Sequence, residues 1–179
     1  MQPETSSRQA PKTAGGARRG VVLAALLGLL LGLHGTVGAD SSARARLQHD
    51  PRYILESVAR QMNVTLRDDE PLPRIHFESS TPLAQFQDAV APQWHFRPPM
   101  IANVYVVARN EIYLADDPDY YRRLHRTLDE SLAHEFAHYL QVRYFAANLS
   151  DESCETAAIA VQFAFREQNR LSAAPGEMG

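Results

Sequence analysis

The 179 residues, 45% hydrophobic and 22% charged, fit a single globular domain with a modest core. A formal charge of −3 leaves no basic surplus to neutralise phosphates, which excludes an electrostatically driven nucleic-acid binder. Cys154 is the single cysteine, so no intrachain disulfide can form and a core or a metal must hold the fold.

Residues 1–20 are polar and basic, and VVLAALLGLLLGL at 21–33 is an uninterrupted apolar run of 13. A membrane span needs about 20 apolar residues, so this run has the length of a signal-peptide core. The small residues of GTVGAD then predict cleavage after Ala39 and export to the periplasm or beyond. The alternatives are an uncleaved anchor and, through Arg18-Arg19, a twin-arginine route. Removing 1–39 takes away Arg8, Lys12, Arg18, Arg19 and Glu4, shifting the formal charge from −3 to −6 with no stable membrane span left.

Residues 40–49 are small and polar and read as a linker, with the domain proper at 50–170. DPRYILESVARQMNV opens with Asp50 as helix cap and Pro51 at the first helical position, and Ile54, Leu55, Val58, Ala59 and Met62 recur on one face. RDDEPLPR breaks that helix, and RIHFES at 74–79 alternates as a short strand. TPLAQFQDAV at 81–90 offers Thr81 as cap and Pro82 at the first position of a second helix, with Leu83, Phe86 and Val90 on one side. WHFRPPM reads as a proline-broken turn, with Trp94 and Phe96 plugging the core and His95 a surface or satisfied histidine.

VYVVA and EIYLA, within 103–116, flank Arg109-Asn110 as a hairpin whose turn lacks glycine. DDPDYYRRL starts a helix with acids placed well for its dipole, and Leu124, Leu128, Leu132 and Phe136 or Leu140 continue the spacing to 143 as one long helix. A last helix is expected from Ser150 to about Asn169, with Asp151 and Glu152 in its first turn and a disordered tail at 171–179. The whole is an α+β fold.

On the long helix, SLAHEFAHYLQ places His134 and His138 four residues apart, about 40° from each other in rotation, so two imidazoles can share one ion. The bland reading is two exposed polar residues on a helix. Glu135 follows the first histidine and is placed as a base beside a zinc-activated water, the role of the glutamate in H-E-x-x-H. Catalytic zinc takes three protein ligands. Glu155 on the next helix is the preferred third, Ala158 after it allowing the helices to approach; Glu152 and Asp151 are its rivals. Cys154 reads as a small buried hydrophobe.

Through HEFAHYLQ and ETAAIAVQ the sequence resembles the gluzincin metallopeptidases, whose H-E-x-x-H helix is followed by a glutamate ligand on a downstream helix. The resemblance spans roughly 103–168 and implies a small zincin-like domain. It makes His134, His138 and Glu155 ligands of Zn²⁺ and Glu135 the general base. It also implies that EIYLA lies beside the cleft and pairs with an extended peptide or protein substrate.

Two departures stand out. Many gluzincins carry an aspartate four residues after the ligand glutamate to orient a histidine, and here that residue is Ile159. No Tyr or His follows residue 155 to stabilise an oxyanion, which leaves Tyr113, Tyr139, Tyr144 and Arg166 as substitutes. The expected function is an exported zinc metallopeptidase. Its alternative is an inactive or structural zinc domain that binds a cell-envelope partner.

Overall fold

The computed structural model describes residues 44–172, and the expected signal segment 1–39 and the end of the tail, 173–179, lie outside them. Among the described residues the architecture is α+β, with five helices and one three-stranded sheet. Among the described residues no helix is long and apolar enough to cross a membrane.

Helix α1 (Pro51–Gln61) begins as its cap chemistry requires, Asp50 accepting from the backbone N–H of Arg52 at 2.7 Å, and it buries Ile54, Leu55, Val58 and Ala59. The chain then forms strand β1 (Arg74–Phe77) and a short 3-10 turn (Glu78–Ser80) before helix α2 (Leu83–Trp94). Two expectations change here. Thr81 spends its hydroxyl on the carbonyl of Phe77 at 2.7 Å and caps nothing in α2, whose N-cap is Pro82. The helix also runs four residues past Val90, through Pro92. Proline there deprives the Asp88 carbonyl of its usual donor, and Nη2 of Arg109 supplies one at 3.0 Å.

Strands β2 (Val104–Val106) and β3 (Glu111–Leu114) form the expected antiparallel hairpin. Its turn is built by a 3-10 turn (Val107–Arg109) and by Asn110 at φ 51°, a left-handed conformation that asparagine tolerates without glycine. Strand β1 pairs in parallel with β3, so the sheet order is β1-β3-β2 and α2 provides the crossover on one face.

This topology corrects the expectation that EIYLA offers a free edge to a substrate. Strand β3 is central and bonded on both sides. The edges belong to β1 and β2, and along β2 Gln93 already bridges the Tyr105 carbonyl and the Val107 N–H at 3.2 Å each.

The sheet divides the core. Ile112, Leu114 and Tyr105 face α1 and the two long helices, while Tyr113, Val104 and Val106 face Phe86, Ala89 and Val90 of α2. Trp94 packs edge-on against Phe86 on the second side, but Phe96 is 37% exposed and only stacks on Trp94, so it is no core plug. His95 is exposed, as expected.

The expected single helix through 143 is two helices, α3 (Pro118–Leu124) and α4 (Leu128–Phe145). His125 turns the chain at φ 50°, and Thr127 restarts it by accepting from the Glu130 N–H at 3.2 Å. Residues 127–130 spell T-x-x-E, the signature of a helix start. Helix α4 is buried on nearly every side, between the sheet, α1 and α5 (Glu152–Ser172).

Residues 44–49, read as linker, are tied to the domain. Ala45 N–H donates to the Asp116 carbonyl at 2.9 Å, and Asp129 accepts from Gln48 N–H at 2.8 Å and from His49 N–H at 3.1 Å. Ala45 and Leu47 pack on the main core.

Candidate metal centre

Helices α4 and α5 bring the site together. Ala133, Ala137 and Ala158 are fully buried, so the two helices pack closely, as the small residue after Glu155 led us to expect. His134 and His138 project from one stripe of α4 toward the first turns of α5. Their Nε2 atoms lie 3.1 Å apart. Glu155 Oε1 is 3.5 Å from His134 Nε2, and Oε2 is 3.3 Å from His138 Nε2.

These separations suit an ion at the centre. Ligands at 2.0–2.1 Å in a tetrahedral arrangement stand about 3.3–3.4 Å from each other. Two imidazole nitrogens and a carboxylate oxygen are also a donor set that zinc accepts. Among the described residues His134, His138 and Glu155 are the group of three that can hold a metal ion.

Glu152 and Asp151, the rivals of Glu155, are both exposed and outside this group. Asp151 accepts from the Ser153 N–H at 2.9 Å, which lowers its pKa and marks it as a helix-start residue. Cys154 is buried and free, its Sγ 3.6 Å from the Asn148 carbonyl.

Electrostatics distinguish the two glutamates. The Glu155 carboxylate, 35% exposed, is held well below the usual range by hydrogen bonds from His134 and His138, against a smaller opposing effect of burial. Burial pushes Glu135 the other way, and the charges of His134 and His138 and a hydrogen bond from the Tyr105 backbone only partly offset it. One acid is therefore tuned to stay ionised and the other to take up a proton. Burial works to lower the pKa of His138, but Glu155, Glu135 and Gln141 outweigh it and raise it.

Only one of the two histidines has an orienting partner. His138 Nδ1 meets Gln141 Oε1 at 2.8 Å, whereas His134 Nδ1 is buried with no partner, as is Nε2 of Gln162. Ile159 is 37% exposed. Gln141 stands in the quoted motif but sequence reasoning passed over it, because an amide three residues after a histidine has no meaning until its second contact is known.

Each of the four candidate oxyanion donors has a partner elsewhere. Tyr113 lies on the α2 side of the sheet and donates to Glu111 at 2.8 Å. Tyr139 donates to the Pro71 carbonyl at 3.3 Å, and its pKa is pushed up to about 12, chiefly by burial. Tyr144 accepts from Arg67 N–H at 3.0 Å, and Arg166 pairs with Glu130 at 2.5 Å. The tyrosines that feel the Glu135 charge are Tyr120 and Tyr121 of α3, whose pKa values are raised by burial first and by Glu135 in addition. Tyr121 donates to the Ala115 carbonyl at 2.7 Å, and half-buried Tyr120 rests edge-on against Tyr121. The pair sits in DYYRRL, upstream of the motif, where a search downstream of Glu155 does not look.

The chain matches no protein-family model, no curated protein and no solved structure.

Proposed function

We propose that the domain is a zinc-dependent hydrolase of the metallopeptidase type, with a zincin-like arrangement around α4 and a peptide or protein as substrate. The observation that carries this reading is the convergence of the His134 and His138 Nε2 atoms, 3.1 Å apart, on the Glu155 carboxylate, whose Oε1 and Oε2 lie 3.5 and 3.3 Å from them respectively, with Glu135 buried on the same helix. Zinc held there would supply a Lewis acid and lower the pKa of a water. Glu135 would be the group that accepts a proton there and returns it to the leaving amine, and its raised pKa supports a group that both takes and gives. The partial exposure of Glu155 leaves the group reachable from solvent, as a catalytic site requires. Export beyond the cytoplasm belongs to the same proposal and rests on the apolar run at 21–33.

A second reading is a zinc-holding domain without activity that binds an envelope partner. It is favoured by the engagement elsewhere of Tyr113, Tyr139, Tyr144 and Arg166. Elemental analysis separates the possibilities. Near one zinc per chain is expected in the wild type and in Glu152→Ala, and its loss in His138→Ala and Glu155→Ala. Glu135→Gln should retain zinc and lose hydrolysis of a peptide library. Zinc binding with no hydrolysis by the wild type would favour the second reading, and no zinc in any form would overturn both.

A further inference from the structure

Gln141 is 5% exposed and lies one turn beyond His138 on α4. Its Oε1 is 2.8 Å from His138 Nδ1, and its Nε2 donates to the Cys154 carbonyl at 2.8 Å. A backbone carbonyl can only accept, so the NH₂ end of the amide must face Cys154. The oxygen end then faces His138, and an oxygen without a hydrogen requires the proton on Nδ1. A neutral His138 so constrained has a bare lone pair on Nε2, the atom that points at His134 and Glu155. Turning the amide over would set two oxygens against each other at a buried contact and lose the bond to α5.

We propose that Gln141 is the positioning residue of the centre: the Cys154 carbonyl fixes its amide, and the amide fixes which nitrogen of His138 is offered to an ion. Cys154 immediately precedes Glu155, so seating α5 delivers the third ligand and sets the His138 tautomer in one event. His134 has no equivalent, its Nδ1 being buried and unpartnered, so the two histidines are unequal: His138 is preset and His134 is not. The role assigned to Gln141 rests on the reading of the group as a metal centre.

Two measurements test it on the full chain, for the wild type, Gln141→Leu, Gln141→Met and Gln141→Glu. The first is Zn²⁺ affinity by competition with a chromophoric chelator. The second is the His138 tautomer from imidazole ¹⁵N shifts of the metal-free protein at a pH where that ring is neutral. Loss of an orienting partner is expected to weaken zinc binding by about 10- to 100-fold. Gln141→Leu should also lose the Nδ1–H preference, with Gln141→Met reporting if the leucine variant does not fold. Gln141→Glu keeps an acceptor for Nδ1–H while opposing an oxygen to the Cys154 carbonyl, so it should restore the tautomer and most of the affinity despite a lower melting temperature. A folded Gln141→Leu or Gln141→Met chain with wild-type affinity and wild-type tautomer would overturn the proposal. If the wild type takes no zinc, the metal-centre reading fails, and the tautomer still decides: a preference present in the wild type and lost in the apolar variants supports positioning, and no difference overturns it.

Discussion

The Nε2 atoms of His134 and His138 face each other at 3.1 Å, with the Glu155 carboxylate closing the triangle. Without a metal this arrangement favours protons, because His138 and Glu135 both have raised pKa values in the folded chain.

A group with a raised folded pKa contributes stability that is complete below its unfolded pKa and is lost as pH rises through the folded value. For Glu135 the loss sets in above its ordinary value of 4.5 and for His138 above 6.5. Glu155 is depressed, so its contribution is present above 4.5 and is lost as pH falls through the folded value. Urea unfolding of the metal-free protein should therefore show stability declining as pH climbs past about 6.5. Zinc requires unprotonated imidazoles, so saturating zinc should reverse the slope over the same range. Parallel slopes with and without zinc would contradict the assignment of the ligands.

Removing the metal has its own signature. At a hundredfold excess over its dissociation constant, zinc should add about 2.7 kcal/mol to the unfolding free energy. A thermal melt before and after a chelator, repeated on Glu155→Ala, should show the shift only in the wild type.

Asp129 pins the segment ahead of α1 through two backbone N–H groups and through His49 Nδ1 at 2.7 Å, and the His49 ring stacks on Tyr53 at 4.9 Å. Asp129→Ala leaves these donors without an acceptor and should cost about 1–3 kcal/mol. Limited proteolysis is expected to cleave near 44–49 in the variant and to spare the wild type.

Elements governed by local rules were legible in the sequence. Asp50-Pro51 announced α1, the β-rich runs VYVVA and EIYLA around Arg109-Asn110 announced the hairpin, and the four-residue spacing of His134 and His138 announced their shared face. What escaped depends on contacts distant in sequence. The passage of α2 through Pro92 needs Arg109 from the hairpin turn, the central place of β3 needs β1, and Gln141 acquires its orientation from α5. The break before α4 is a different case: T-x-x-E was present at 127–130, but the leucine spacing running across it masked the stop.

The tyrosines give a further check. Tyr113→Phe and Tyr144→Phe should leave peptide hydrolysis unchanged, since both hydroxyls are engaged away from the histidines, while Tyr113→Phe costs about 1 kcal/mol through the lost bond to Glu111. Tyr120→Phe should retain zinc and lower kcat by about 100-fold if its hydroxyl meets the developing oxyanion. An unchanged kcat in Tyr120→Phe would remove it from the reaction.

The core around the histidines should tolerate little. Leu132 is fully buried, and Leu132→Ala should lower stability by about 2–5 kcal/mol, read from the urea midpoint.

Helix α4 is enclosed on almost every side, whereas α5 keeps many residues in solvent and holds Glu155 near the surface. The two histidines and Glu135 thus sit on a helix that is largely enclosed by the sheet, α1 and α5. If the centre is catalytic, as proposed, selectivity would be altered more readily through the exposed α5 than through α4.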